Sequence, residues 1–198
     1  MLMIAAPARV RRPSLLRNGI AFVLFSILLA WFLALSTVLH PRRFIRPIKA
    51  WLRLVWWTAG LRVTVRGAEN LEPGRTYLYM VNHVTFIDHL LLQAYLDGFF
   101  VGLEKIENAR IPIYGWASRR WGQVHIRRDD RESAIESCQE VVRRLEAGMT
   151  MCVFPEGTRT RDGALGPFKK GMFRVAVDAG RAVVPVAAES DALVRVDS

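Results

Sequence analysis

Thr76-Tyr77-Leu78-Tyr79-Met80-Val81-Asn82-His83-Val84-Thr85-Phe86-Ile87-Asp88 changes character once, at Asn82. The first six residues are aromatic, aliphatic or β-branched and predict a buried strand over Thr76–Val81. The residues from Asp88 to Tyr95 predict a helix, so the polar stretch between them is a strand-to-helix loop. Working outward, the same unit recurs. Strands are expected at Phe99–Leu103, Val124–Ile126, Thr150–Phe154 and Ala182–Ala187, and helices at Ile113–Trp121, Arg131–Ala147 and Lys169–Ala179. The helix over 131–147 is the clearest, with Ala134, Val141, Val142 and Leu145 apolar and Gly148 as its stop. Ahead of these, Arg62-Val63-Thr64-Val65-Arg66 alternates polar and apolar and ends at Gly67, as a half-buried strand does. Strands and helices alternating at this spacing imply an α/β fold, a largely parallel sheet flanked by helices.

Ligands of such sheets bind beyond the carboxyl ends of the strands. Three polar clusters fall there: Asn82 to Asp88, Arg127-Arg128 after Val124-His125-Ile126, and Pro155-Glu156-Gly157-Thr158-Arg159 after the strand at 150–154. His83 and Asp88 are spaced so that a turning loop lets the carboxylate hold the imidazole Nδ1–H and leave Nε2 to accept a proton. His125 and Asp130 repeat the spacing, but His125 lies within a strand and reads as a packed or surface histidine. In the third cluster, Gly157 permits close backbone approach, and Thr158 and Arg159 supply a hydroxyl and a planar fork suited to phosphate. Glu156 would repel a phosphate, and is expected to orient the loop or the acceptor.

The amino-terminal sixty residues differ in kind. Gly19 to Leu39 is 21 residues without a charge, a helix of about 31 Å against a hydrocarbon core of roughly 30 Å. Ala34-Leu35-Ser36 resembles a signal-peptidase site, but the apolar run is longer than a signal peptide needs, so a retained anchor is expected. Basic residues flank it on both sides, Arg9, Arg11, Arg12 and Arg17 before and Arg42, Arg43, Arg46, Lys49 and Arg53 after. A single span or a helix that enters one leaflet and turns back both remain open. Arg42, Arg46, Lys49 and Arg53 share one helical face opposite Ile45, Ile48, Leu52 and Val55, with Trp51, Trp56 and Trp57 nearby. That is a basic amphipathic helix over about 42–58, of the kind that lies among lipid headgroups, and it favours the one-leaflet arrangement. The chain therefore divides into a membrane anchor at 1–60 and an α/β domain at 61–198.

Of 198 residues, 28 are Lys or Arg and 18 Asp or Glu, a net charge of +10, and 52% are hydrophobic. Such a balance excludes a disordered chain and calls for a polyanionic partner. The charge-free segment makes that partner lipid rather than nucleic acid, for which no recognition motif is present. Cys138 and Cys152 are too few for a disulfide framework, and no constellation demands a metal or a bound cofactor.

Asn82-His83-x4-Asp88, a Gly-led strand ending at Arg128, Phe154-Pro155-Glu156-Gly157-Thr158-Arg159 and Val184-Pro185-Val186-Ala187, in that order and spacing, resemble the four-block signature of the glycerolipid acyltransferases, nearest to the 1-acylglycerol-3-phosphate branch. The resemblance runs from about Arg62 to Ala188. It implies that His83 is the general base that deprotonates an acceptor hydroxyl and that Asp88 orients it. Attack on the thioester of acyl-CoA or acyl-carrier protein would be direct, in keeping with the lack of a G-x-S-x-G elbow, and backbone N–H groups at the start of the following helix would hold the oxyanion. It assigns the phosphate of lysophosphatidic acid to Arg159 with Gly157 and Thr158. Arg128, Lys105 (with Pro112 and Gly115 downstream), Thr85 and Asn82 join Glu156 in the substrate site. The expected setting is the cell membrane, with the catalytic domain on its cytoplasmic face. Two departures stand out. Arg127 occupies the place where the second block carries Asp, leaving other lysophospholipid or lyso-amino-acid lipid acceptors open. The chain also ends soon after the fourth block, where members continue, which fits a short form, a missing terminal part, or a non-catalytic lipid-binding relative.

Overall fold

The computed structural model describes residues 2–6, 14–127, 130–160 and 162–190. Among them, seven strands, β1 (Leu2–Ala6), β2 (Thr64–Arg66), β3 (Tyr77–Val81), β4 (Phe100–Lys105), β5 (Val124–Ile126), β6 (Thr150–Val153) and β7 (Ala182–Ser190), form one sheet in the order β2-β1-β7-β3-β6-β4-β5. Every pairing is parallel except β1 with β2. The helices are α1 (Leu15–Val38), α2 (Ile45–Ala59), α3 (Asp88–Tyr95), α4 (Tyr114–Trp121), α5 (Arg131–Glu146) and α6 (Lys170–Ala179).

All five residues of β3 are buried, which its lack of polar alternation requires of a central strand covered on both faces. The period-two geometry deals its side chains into two cores. Tyr77, Tyr79 and Val81 meet Phe100, Cys152, Val186 and the α3-side residues Leu92 and Leu96. Leu78 and Met80 meet Met151 and Val153 of β6 under Val141 and Leu145 of α5 and Met172 and Val175 of α6. This register brings the carboxyl ends of β3 and β6 side by side, Met80 opposite Val153.

Leu2–Ala6 correct the sequence reading, which placed no strand within residues 1–60. Leu2 to Ala6 pair in parallel with Val186 to Ser190, which carries β7 beyond Ala187. A five-residue apolar run without turn residues has no periodic signature of its own; its strand character comes from this distant partner.

The amino-terminal helices pack as an antiparallel pair. The Arg17 guanidinium near the start of α1 lies against Gly60 after α2, where a Cβ would come within 2.7 Å of it, and Trp51 Nε1 donates to the Leu24 carbonyl at 3.0 Å. Gly60 takes φ +90° and closes α2 in the left-handed conformation. At its other end α1 is tied to α4, where Arg120 Nε donates to the Ser36 carbonyl and Trp121 packs on Phe32 with centroids 5.8 Å apart. α1 is long and apolar enough to cross a membrane, and only 22% of its most apolar window is buried.

The basic stripe of α2 is divided in its use. Arg42 and Arg46 are exposed, whereas Lys49 is buried and donates to the Leu96 carbonyl. Arg53 Nε donates to the Ala94 carbonyl at 2.7 Å, with its guanidinium over the Tyr95 ring. These carbonyls end α3, where unpaired acceptors and the helix dipole favour cations. Two residues expected to meet lipid headgroups therefore cap the helix that begins with Asp88.

Ile113 is the one described non-glycine residue at positive φ, +64°. Its ψ of −57° and the hydrogen bond from Tyr114 N–H to the Pro112 carbonyl at 2.6 Å define a γ-turn of the rare, strained hand. A residue held so costs on the order of 1–3 kcal/mol, more easily carried where the surroundings fix it.

Candidate active site

Continuing the register of β3 and β6 past their ends sets Val81 beside Phe154 and His83 beside Glu156. The contacts follow. The His83 N–H donates to Glu156 Oε1 at 2.7 Å, and the His83 carbonyl accepts from the Thr160 N–H at 2.9 Å. The turn after β6 thus clamps the His83 backbone on both sides. The second Glu156 oxygen accepts from the Gly166 N–H at 2.8 Å, so a buried carboxylate joins three loop segments. The imidazole stacks on Phe154, centroids 4.1 Å apart and planes within 20°.

Asp88 is the first residue of α3, where the helix dipole favours a negative charge. Its Oδ2 lies 2.8 Å from His83 Nδ1 and accepts from the Val84 and Thr85 N–H groups, each at 2.8 Å, while the Thr85 hydroxyl donates to Oδ1. These bonds fold the five-residue loop back on itself, which sequence spacing alone leaves undecided. An acceptor-only carboxylate against Nδ1 fixes the tautomer with the proton on Nδ1. Nε2 makes no hydrogen bond among the described residues, and the His83 side chain keeps 19% of its surface open against 5% for Asp88. The arrangement is a base with one nitrogen held and the other presented.

The remaining expected site residues divide into scaffold and rim. The Asn82 side chain exchanges two hydrogen bonds with the Ala188 backbone, at 2.9 and 2.7 Å, and locks β7 beside the loop. Asn82, Thr85 and Glu156, expected to touch substrate, commit their polar atoms to internal partners. The Val84 and Thr85 N–H groups of the loop both serve Asp88. Thr158 and Arg159 are exposed, and the Arg159 guanidinium sits 5.9 Å from the Phe86 ring, joining the third cluster to the His83 loop. Lys105, at the carboxyl end of β4, pairs with Glu107 at 3.4 Å. Arg128 lies outside the described residues, as do Arg9, Arg11 and Arg12. Arg127 is exposed.

Gly157 has φ +73°, and its N–H donates to the Phe154 carbonyl at 2.9 Å, closing the turn. The close approach it permits is to Lys169, whose Cε would stand 2.9 Å from a Cβ there. Lys169 escaped the sequence reading because it follows the turn by twelve residues as the lead-in to α6; its main-chain bond to the Pro155 carbonyl at 2.8 Å brings it back. Lys169 and Arg159 are two exposed cations on the segment after β6.

The second His-x4-Asp pair does not assemble. His125 Nε2 lies 2.9 Å from Ser118 Oγ and 3.6 Å from Glu104, and Asp130 instead caps α5 through the Glu132 and Ser133 N–H groups. His89, next to Asp88 in sequence, packs against Phe100 and Gln123, and desolvation of its ring pushes the imidazole down to about 4. It is neutral at physiological pH. No three described His, Cys, Asp or Glu side chains group to hold a metal.

Residues 62–189 match the family model described as Acyltransferase. The chain is 39% identical over 126 residues to a chloroplastic 1-acyl-sn-glycerol-3-phosphate acyltransferase of Arabidopsis thaliana, covering 63% of this chain and 35% of that protein. It is 30% identical over 139 residues to the 1-acyl-sn-glycerol-3-phosphate acyltransferase of Borreliella burgdorferi, covering 70% and 56%. It thus spans between a third and just over half of the length of these curated relatives. The crystal structure of the 1-acyl-sn-glycerophosphate acyltransferase PlsC from Thermotoga maritima superposes with a TM-score of 0.65 at 21% identity, over 87% of this chain and 80% of that one, and shares its fold.

Proposed function

The chain belongs to the acyltransferase family, and on that premise we propose that it moves a fatty acyl group from acyl-CoA or acyl-carrier protein to the free hydroxyl of 1-acylglycerol-3-phosphate, giving phosphatidic acid at the cytoplasmic face of a membrane. The observation that carries this reading is the 2.8 Å contact between His83 Nδ1 and Asp88, which leaves Nε2 without a hydrogen bond among the described residues. The acceptor hydroxyl gives its proton to Nε2 as its oxygen attacks the thioester carbonyl. The tetrahedral intermediate collapses, the C–S bond breaks, and the thiolate takes the proton back from the imidazolium. Asp88 stabilises that cation and holds the ring in plane. Phe154 backs the imidazole and limits its rotation. No residue is acylated on the way.

Arg159, Thr158 and Lys169 receive the acceptor's phosphate, for which a guanidinium fork and an ammonium are suited partners. The relatives named for this reaction support the choice of acceptor. α1, largely exposed and apolar, supports membrane attachment, and its antiparallel packing with α2 supports entry into one leaflet with both basic flanks on the same side. The donor is a substrate; no cofactor is required by the mechanism.

Thiol release from acyl-CoA and acyl-carrier protein, measured with lysophosphatidic acid and a panel of other lysolipids, tests the proposal. Turnover that needs both His83 and a phosphate-bearing acceptor is expected. Equal turnover by H83A, or none with any thioester, would overturn it. Arg127, opposite in charge to the residue the second block carries, is the reason to keep other lysolipid headgroups in that panel.

A further inference from the structure

We propose that the segment from Ile111 to Trp116 is a second membrane contact, a rigid apolar tip that enters the headgroup region of an anionic bilayer beside the active-site opening. The inference builds on the membrane-bound reading above but uses none of the residues given a part in proton transfer.

Three independent features meet in this tip. Ile111, Ile113 and Trp116 are 51%, 60% and 38% exposed, an apolar cluster at the carboxyl edge of the sheet, after β4, where the His83 loop also lies. Its backbone is strained and held, since Ile113 is a β-branched residue at the centre of a positive-φ γ-turn. The holding contacts are all local. Gly115 sits against the Ala109 carbonyl so closely that a Cβ would overlap it, Arg119 Nη1 donates to the same carbonyl at 2.7 Å, and the Tyr114 hydroxyl donates to Glu104. The turn opens α4, where the Ile113 carbonyl accepts from the Ala117 N–H at 2.9 Å, and it leaves the isoleucine side chain in solvent. It suits a side chain that must stand clear of the surface.

The charge around the tip indicates what covers it. Arg110 and Arg119 are exposed on its two flanks. Apolar side chains with an indole among them, flanked by two guanidinium groups, match an anionic phospholipid interface, where the rings and chains sit below phosphates. α4, which carries Trp116, is fastened to α1 through Arg120 and Trp121, so a bilayer that holds α1 meets the tip at a fixed geometry.

The test uses the full chain reconstituted into phosphatidylcholine vesicles containing phosphatidylglycerol, with an environment-sensitive fluorophore on a cysteine at one of three exposed places: I113C on the tip, F22C on α1, and A147C at the opposite edge of the sheet. Quenching by aqueous iodide and by lipid-borne nitroxide is read for each. Expected is that the label at 113 behaves as that at 22, several-fold better protected from iodide than that at 147 and quenched by the lipid nitroxide. A label at 113 as open to iodide as that at 147, while 22 is protected, overturns the proposal and leaves the anchor in place. Protection at 113 without nitroxide quenching assigns the tip to a protein contact and also overturns it. Exposure at both 22 and 113 overturns the tip together with the membrane reading. Because the readout is independent of turnover, protection at 113 in a chain without acyltransferase activity would uphold the contact while the catalytic reading fell.

Discussion

The carboxylate of Glu156 accepts a hydrogen bond from the His83 backbone N–H at 2.7 Å, so the third polar cluster builds the first. Its other oxygen holds Gly166, and the Glu156 side chain that makes both bonds is buried. In E156A two backbone donors lose their acceptor, at about 1–3 kcal/mol each. A lowered melting temperature is expected together with a large loss of turnover. E156Q keeps a carbonyl oxygen for one donor but turns an NH2 group toward the other, so it should fall between. Activity unchanged in E156A would show that the His83 loop keeps its shape without the clamp.

Replacing Asp88 separates orientation from basicity. D88N preserves the size of the side chain, but its amide presents only one acceptor oxygen and frees His83 to adopt the other tautomer. Loss of a positioned general base costs typically 10²–10⁴-fold, and a fall of that order in kcat is expected with little change in KM. A KM effect without loss of kcat would move Asp88 from catalysis to binding.

Arg159 is expected to act on the acceptor alone. A charge-assisted hydrogen bond contributes roughly 1.5–3 kcal/mol, so R159A should raise KM for a phosphate-bearing lysolipid by one to two orders of magnitude. A phosphate-free acceptor should be affected little. R159K is expected to recover part of the loss, because an ammonium keeps the charge but not the fork. Equal effects on both acceptors would assign Arg159 to holding Phe86 and its loop instead.

Much of this architecture is legible in the residue pattern. Asp88–Tyr95 and Val124–Ile126 coincide with their sequence-predicted bounds, because an apolar helical stripe and a short β-branched run each leave a local signature. β1 leaves none, since a short apolar strand is defined by the neighbour that accepts it. At the site the same division holds. His83 and Asp88 are recognisable by type and spacing, but Asn82 and Glu156 end on backbone groups 10 to 106 residues away and Thr85 on the Asp88 carboxylate within the loop, which no spacing rule reaches. Lys49 and Arg53 mislead for a related reason. Their positions on the α2 face fit lipid headgroups, and only the packing of α3 shows that carbonyl groups take them first.

Gly115 is the position where an added methyl group should do most harm among the glycines at ordinary φ. Its Cβ would overlap the Ala109 carbonyl, which is backbone and also accepts from Arg119. Overpacking of this kind costs typically 1–3 kcal/mol, so G115A should lower thermal stability and loosen the turn around Ile113. A melting temperature equal to that of the parent chain would show that the 106–110 turn moves aside freely.

His89 gives the fold a pH dependence of definite sign. Its imidazole is held down to about 4 by burial, against about 6.5 in an unfolded chain. Between these values the unfolded state binds the proton and the folded state does not, so stability is fully present above about pH 6.5 and declines as pH falls toward 4. The slope approaches about 1.4 kcal/mol per pH unit and the whole contribution is roughly 3 kcal/mol. Denaturant unfolding of the chain at pH 7.0 and at lower pH should resolve this loss, and H89Q, which cannot charge, should remove it from the profile. Gln123, beside both His89 and Gly102, would keep a partner in that variant. An acid sensitivity identical in H89Q and the parent chain would place its origin in other groups.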